Sequence, residues 1–273
     1  MPILVIYAAN PISGYRLHML SGAAGREQDS RPENKGPFLS QPHQSSVRNR
    51  LLARMTPADF VFIWPHLTYV SLARGEPLVE LDQVIQHAWF IDQGIASVVA
   101  TSAHGHQTEV GIVGRDGLVD MATVHGTDRA SHRCFIQLPG SAYRLSSAVL
   151  QTALDGSPTL RALLMGYAHS FMTQIAGTAL ANASYTVEQR LARWLLMCHD
   201  RIDGDEVAMT HEFLSLMLNV RRAGVTVAIQ ALENAGFVNG RRGVITMIDR
   251  VALEKFATDS YGGPEAVYER LIG

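Results

Sequence analysis

Arginine residues stand in two adjacent pairs in the last quarter of the chain, at 221–222 and 241–242. A guanidinium group donates hydrogen bonds in a planar fork, which fits phosphate oxygens and the O6 and N7 atoms of guanine. Thr226 and Gln230 follow Arg222 at intervals of one helical turn, and small polar side chains so placed can contact bases or phosphates in a DNA groove. The candidate DNA-binding residues are therefore Arg221, Arg222, Thr226, Gln230, Arg241 and Arg242.

Two short amphipathic segments position these side chains. Apolar residues recur at helical spacing over about Thr210–Leu218 and again over about Arg222–Glu233, with a tight turn between them. Thr210 stands at an N-cap position, where its side chain can accept a backbone N–H. The second helix, with its basic N-terminus, is suited to the major groove of DNA. The alternative is an ordinary helical hairpin whose arginines are only solvated.

A hairpin is expected directly after the second helix. The segment Asn239–Gly243 has Asn and Gly where a turn needs positive φ, and the β-branched run Val244–Ile248 follows it. Helix, turn, helix and hairpin together describe a winged helix. Arg241 and Arg242 would lie at the tip of the wing and contact phosphates, which adds affinity without sequence readout.

The composition is that of a soluble globular protein of 273 residues, enough for two domains with their own cores. Since the net charge is −2, any basic surface must be local. Two cysteines, Cys134 and Cys198, are too few for a disulfide framework or a four-thiolate cluster, and their apolar surroundings predict small buried side chains. This cysteine usage predicts a cytoplasmic protein, and no apolar run reaches the length of a membrane span.

Between Leu67 and Leu145 short β-branched or alternating runs are separated by turn signals. The predicted strands are Thr68–Leu72, Gln86–Asp92, Ile95–Thr101, Thr108–Val113, His132–Leu138 and Ala142–Leu145. Breaks are expected at Asp92-Gln93-Gly94 and at Pro139-Gly140. This spacing favours a β-barrel or jelly roll over a fold in which strands and helices alternate.

Helices are expected on both sides of the strands. A helical start is predicted at Ser46–Ala53, and Thr56-Pro57 has the form of an N-cap followed by proline at the first helical position. A further helix over Thr186–His199 opens with capping-box spacing between Thr186 and Gln189.

A long helix is predicted over about Thr159–Ala183, with a stripe of apolar or small residues along one side. We favour a dimerisation helix, in which small residues permit close approach. The alternative is a helix packed on its own barrel. The small residues are Gly166, Ala168, Ala176 and Gly177, and the larger members of the stripe include Leu160, Leu164, Tyr167 and Phe171.

Barrel, long helix and winged helix, in this order over residues 46–258, resemble the family of the cyclic-AMP receptor protein and the fumarate–nitrate regulator (Crp/Fnr). The strongest likeness lies in Glu188–Leu195, which resembles the link into the DNA-binding domain, and in residues 210–248. Gly75-Glu76-Pro77 is similar to the family's early glycine turn, and Gly94–Val98 to a core hairpin strand. The resemblance implies a non-enzymatic, homodimeric transcription regulator without a cofactor, which reads an inverted-repeat operator in double-stranded DNA and has RNA polymerase as a further candidate partner.

The resemblance also implies an α+β fold and its division. An N-terminal double-stranded β-helix (jelly-roll, cyclic-nucleotide-binding-like) barrel would span residues 46–150, a long dimerisation helix 151–185 and a C-terminal winged helix-turn-helix 186–260. Residues 261–273 would form a tail. Residues 1–45 are expected to be a disordered or dispensable extension: Met1–Ala9 is a poor signal peptide, residues from about 22 are rich in polar and turn-forming types, and Met19 is a later candidate start.

The segment Gly114–Ser131 resembles the family's phosphate-binding cassette in spacing but departs from it in content. Arg129, followed by Ala130 and Ser131, fills the place of the arginine that binds the cyclic phosphate, whereas Leu118-Val119 replaces the Gly-Glu pair that binds the ribose. Without that carboxylate the ribose hydroxyl loses its acceptor, so we expect weak or no binding of cyclic AMP unless Asp116 or Asp120 substitutes after a change of register. The candidate effector-pocket residues are Leu118, Val119, Arg129 and Ser131.

The signal is left open by the sequence. A small-molecule effector of unknown identity, including an apolar or planar one, would act by changing the populations of dimers with different spacing between the two reading helices. Alternatively, the barrel binds no small molecule and serves as a scaffold. The four-cysteine signature of the oxygen-sensing branch is absent.

The predicted reading helix departs from the cyclic-AMP branch of the family as well. Arg222 keeps the first base-reading place, but Ala223 and Val227 fill the other two. We therefore expect a different operator.

A metal-binding, cupin-like barrel with an attached DNA-binding module is the rival hypothesis, because His104, His106 and Glu109 combine imidazole and carboxylate ligands on a barrel hairpin. A second motif with another histidine is missing, and we prefer the interpretation that these residues are exposed at a hairpin tip. No nucleophile–base pair or phosphate loop argues for an enzyme.

Overall fold

The computed structural model describes residues 43–273. Nearly all of the extension expected at 1–45, including its apolar start and Met19, lies outside the described residues. The described chain begins with a 3₁₀ turn at Gln44–Ser46, and further 3₁₀ turns lie at Trp64–His66 and Thr258–Ser260.

Along the described chain, two short helices precede the strands of the barrel, and longer helices and a small second sheet follow them. The α-helices are α1 (Arg50–Arg54), α2 (Pro57–Ile63), α3 (Met121–Val124), α4 (Ser147–Gly156), α5 (Pro158–Ser184), α6 (Val187–His199), α7 (His211–Met217), α8 (Arg222–Asn234), α9 (Arg250–Ala257) and α10 (Gly263–Leu271). The strands are β1 (Thr68–Leu72), β2 (Pro77–Val79), β3 (His87–Thr101), β4 (Gln107–Val113), β5 (Leu118–Val119), β6 (Arg133–Ser146), β7 (Glu206–Val207), β8 (Val238–Arg241) and β9 (Val244–Met247).

Two sheets organise the chain. The larger has the order β1-β6-β3-β4, with β2 also paired to β6 and β5 to β3, and these pairings are all antiparallel. The smaller has the order β7-β9-β8 and forms the wing beside α8. The predicted α+β fold is confirmed: a jelly-roll barrel, a long helix and a winged helix-turn-helix follow one another along the chain.

The breaks expected within the barrel strands are wrong, because β3 and β6 each run through them without ending. The two strands pair from His87, opposite Ser146, to Val99, opposite Arg133, and the register shifts near Gln93 and Ile95 instead. Gly94 has a φ of 85° there. A β-carbon on Gly94 would overlap the Leu138 carbonyl oxygen, and one on Gly140 would overlap the Gln93 carbonyl. The glycines thus mark bulges at which two long strands bend between the layers of the barrel.

The helix caps predicted at Thr56 and Thr186 are confirmed. Thr56 accepts the Asp59 N–H at the start of α2, and the predicted capping box of α6 is complete between Thr186 and Gln189. α1 begins later than expected, at Arg50, because Asn49 caps it. The buried Asn49 amide also donates to the Ile91 and Gly117 carbonyls at 2.8 Å each, which fixes α1 to the barrel.

Three of the four small residues of α5, Gly166, Ala168 and Gly177, face the same chain, whereas Ala176 is exposed. A β-carbon on Gly166 would lie 3.6 Å from Ile272, and one on Gly177 would lie 3.1 Å from Pro264, both in or beside α10. Ala168 is buried, and so are the larger stripe residues Leu160, Leu164, Tyr167 and Phe171. The alternative interpretation, packing within the chain, therefore describes this side of the helix.

α10 lies in the segment for which only a tail was predicted. The Tyr268 hydroxyl donates to the Asp116 carbonyl oxygen at 2.7 Å, and Glu269 pairs with Arg50 at 2.7 Å. The C-terminal helix therefore joins α5, α1 and the turn before β5. Among the described helices none is long and apolar enough to cross a lipid bilayer.

The winged helix and the barrel share one apolar core. Ile95, Ile112 and Phe135 of the barrel strands pack in the same buried cluster as Trp194 of α6 and Met217 of α7. A second cluster joins α1, α2, α4, α5 and α10, and a third fills the barrel itself. The position of the winged helix is therefore set by side-chain packing on the barrel surface. Cys134 and Cys198 are both buried, as predicted.

We predict that Gly140→Ala lowers the free energy of unfolding by about 1–3 kcal/mol, because the added methyl group meets backbone atoms that cannot yield. Gly156→Ala is the matched control: its site is open, so its stability should change by less than about 1 kcal/mol. Urea unfolding of both variants measures the difference. Equal stabilities for the two would contradict the bulge assignment.

Candidate nucleic-acid interface

The two helices predicted for DNA contact form as expected. Thr210 caps α7 by accepting the Phe213 N–H, and α8 buries Val225, Ala228 and Leu232 against the rest of the domain. The turn between the helices passes through Asn219, whose φ is 50°. α8 is thereby held by one side, and its opposite side is open.

The open side of α8 carries most of the predicted contact residues. Arg221 is the N-cap residue, and Arg222, Val227 and Gln230 are all exposed along the helix. Thr226 is only half-exposed, and its hydroxyl already donates to the Arg222 carbonyl at 3.1 Å. The helix therefore presents a charged N-terminal end and a largely uncharged outer face.

Arg222 has an intramolecular partner, Glu212, that the sequence does not predict. Its guanidinium lies 2.9 Å from Glu212 of α7, and the two side chains are 64% and 74% exposed. An ion pair this exposed contributes at most about 1 kcal/mol, because water screens both charges. Glu212 can orient Arg222 in the free protein without holding it back from a base or phosphate.

The wing is tighter than predicted. Asn239 does not form the turn: it lies in β8 and pairs with Thr246, so the turn is confined to Arg242-Gly243, where Gly243 has a φ of 77°. Arg241 and Arg242 are both exposed at this tip. The wing is tied to the end of α8 by the Gly240 N–H, which donates to Glu233 at 2.7 Å. Both arginine pairs therefore project from one rigid unit.

Glu109 connects this unit to the barrel. Its carboxylate, on β4, accepts hydrogen bonds from the Ser97 hydroxyl at 2.5 Å and the Trp194 indole N–H at 2.8 Å. Complete burial raises the pKa of the Glu109 carboxyl to about 8, and the two hydrogen bonds, which lower it, do not compensate. At neutral pH a largely protonated carboxyl therefore bridges β3, β4 and α6.

The rival metal site does not assemble. His104 and His106 are exposed at the β3–β4 turn, in agreement with the interpretation that they lie at a hairpin tip. Glu109 is buried against α6, so the expectation that it is exposed there too is wrong. Within residues 43–273 no group of three or more His, Cys, Asp or Glu side chains is placed to hold a metal ion.

The candidate effector residues are distributed over the barrel. Leu118 and Val119 form β5, where they pair with Phe90 and Trp89 and pack in two different buried clusters. Arg129 is exposed and donates to the Asp82 carbonyl at 2.9 Å. Ser131, also exposed, lies beside the His132 ring. Two cavities of about 300 Å³ each are lined by other residues.

The two acidic substitutes for the missing ribose ligand are already engaged. Asp116 pairs with the buried Arg201 at 2.7 Å, and its second oxygen accepts the Gly114 N–H. Asp120 caps α3 by accepting the Thr123 N–H and also accepts the Ser147 hydroxyl. Burial raises the pKa of the Asp120 carboxyl, against the effect of these hydrogen bonds.

Comparison with known proteins supports the assignment of the winged helix-turn-helix. Residues 189–256 match the Crp-like helix-turn-helix domain. No curated protein matches the chain significantly.

The whole fold is similar to those of solved regulators. FixK2 from Bradyrhizobium japonicum is 14% identical, with a TM-score of 0.61 over 70% of this chain and 98% of that one. A protein from Eubacterium rectale, described as a regulator of the Crp/Fnr family, is 15% identical, with a TM-score of 0.58 over 74% and 95%. The c-di-GMP responsive global regulator CLP from Xanthomonas campestris is 14% identical, with a TM-score of 0.55 over 71% and 99%. The chain therefore resembles Crp/Fnr-type transcription regulators, with the likeness to solved structures at this identity showing the fold.

We predict that Glu109 makes stability fall as pH rises. The unfolded chain loses this proton near the ordinary value of 4.5, whereas the folded chain holds it to about 8. Between these two pH values the folded state binds one more proton than the unfolded state. The free energy of unfolding therefore declines by up to about 1.4 kcal/mol per pH unit. Urea unfolding of the wild type and Glu109→Gln from pH 5 to 8 isolates this group. The wild type should lose stability relative to the variant across that range, and a constant difference would contradict the assignment.

Proposed function

We propose that the protein is a DNA-binding transcription regulator that acts as a homodimer and reads each half of an inverted-repeat operator with α8. The observation that carries this proposal is the open side of α8, which presents Arg222 beside a wing tipped by Arg241 and Arg242. A guanidinium at the start of such a helix can reach guanine in the major groove, while wing arginines contact phosphates.

A second stripe on α5 supports a dimer. Exposed residues recur along the helix at alternating steps of three and four residues, which is the spacing of a coiled-coil seam. Met172, in the middle of this stripe, is 59% exposed. The stripe consists of Ala162, Met165, His169, Met172, Ala176, Ala179 and Ala183. Because the other sides of α5 pack on the barrel and α10, a second copy of α5 is the partner whose repeat matches this seam.

The dimer must meet a geometric requirement. Two recognition helices that enter adjacent major grooves lie about 34 Å apart. A signal that changes the angle between α5 and the winged helix would change the fraction of dimers with this spacing. We propose that the signal is not cyclic AMP, because Asp116 and Asp120 both have other hydrogen-bond partners and β5 supplies only apolar side chains.

Selection of bound duplexes from a random pool at low salt tests the function as a whole. Recovery of an inverted repeat with half-sites about one helical turn apart would support it. Failure to bind any duplex at low salt, by protein shown to be folded, would remove it.

We predict that Arg222→Ala weakens binding to the selected operator by about 1–3 kcal/mol and relaxes preference at one base pair in each half-site. Arg242→Ala on the wing is the matched control, which should weaken all sequences equally and reduce the salt dependence. Titration of operator and scrambled duplexes measures both effects. If Arg222→Ala also weakened all duplexes equally, Arg222 would be a phosphate contact instead.

We predict that Met172→Glu converts the protein to a monomer, because a charge in the seam of a coiled coil loses its water without gaining a partner. Val61→Glu on α2 is the control: Val61 is 56% exposed but lies outside the seam, so its variant should remain dimeric. Sedimentation equilibrium distinguishes the two. A dimeric Met172→Glu variant would place the interface elsewhere.

A further inference from the structure

The outer face of α8 contains an apolar side chain that DNA contact by arginines does not explain. Val227 is 58% exposed, although the apolar residues on the other side of the helix, Val225, Ala228 and Leu232, are fully buried. At 100° per residue, Val227 lies next to Ala223 and Ala231, one turn before and after it. Gln230 is its other neighbour on the exposed surface.

We propose that Val227 reads thymine, by placing its two methyl groups against the 5-methyl group of a thymine in each half-site. This inference rests on the proposed function and specifies which bases α8 selects. The thymine methyl is the apolar group among the base edges of the major groove. The other edges carry donors and acceptors that would lose water to Val227 without gaining a hydrogen bond.

The neighbours of Val227 favour this contact. Ala223 and Ala231 are short, so the backbone of α8 can approach the base edges closely enough for a valine to reach a methyl group. Valine in a helix has one strongly preferred rotamer, so it loses little freedom on binding. Arg222, one turn from Thr226 on the flank of the helix, remains available for guanine or phosphate. The expected half-site therefore contains a thymine beside any guanine that Arg222 contacts.

Replacing thymine by deoxyuridine tests the proposal, because the replacement removes the methyl group and leaves the base pairing unchanged. The operator selected by the wild type is synthesised with each thymine of the half-sites replaced in turn, in one or both halves. One symmetric position should lose affinity by about fourfold per half-site, which corresponds to about 0.8 kcal/mol for one buried methyl-sized group. Replacement in both halves should lower affinity by about fifteenfold.

A variant assigns the effect to the side chain. Val227→Ala should bind the thymine and deoxyuridine duplexes equally at that position, whereas Gln230→Ala should keep the discrimination. Val227 is largely exposed, so the alanine variant should fold, and its unfolding midpoint checks this. Absence of any deoxyuridine effect, or full discrimination by Val227→Ala, would overturn the inference while leaving the function in place. Absence of binding to all duplexes would instead refute the proposed function.

Discussion

The apolar contact between α6 and the outer face of the barrel determines how the rest of the protein is arranged. Trp194 lies in the same buried cluster as Ile95 and Ile112, and its indole N–H donates to the carboxyl of Glu109 in the barrel sheet. Burying these side chains excludes water from the junction, so moving the winged helix away would expose apolar surface and leave a buried carboxyl without its donor. The orientation of α8 relative to α5 follows from this contact.

Charged side chains determine the character of one surface that this arrangement presents. The chain has a net charge of −2, yet Arg221, Arg222, Arg241 and Arg242 are all exposed on one unit. Such a local basic surface can hold phosphates, but it is small. In the proposed function, discrimination among DNA sequences comes from contacts along α8, where an exposed glutamine, a valine and short alanines stand in place of further charges.

The elements predicted correctly are those determined by neighbouring residues. The caps at Thr56, Thr186 and Thr210 and the bounds of α5 to α8 depend on helical spacing, which is visible within a few residues. The continuity of β3 and β6 depends on pairing between distant strands, so the glycines at 94 and 140 resembled turns when they are bulges. Similarly, the exposure of the arginines in the candidate site was predictable from type, whereas the hydrogen bond between Glu109 and Trp194 joins residues 85 positions apart. The contacts of the arginines with DNA remain predictions.

The C-terminal helix has a mechanical consequence. The winged helix is continuous with α5 at Tyr185, and beyond α9 the chain returns so that α10 packs on α5 again beside Gly166 and Gly177. A body attached at two separate points on one rod cannot swivel freely. It can only rotate about the line that joins the points. Any motion of α8 that loosens its domain from the barrel is thereby restricted to rotation about one axis.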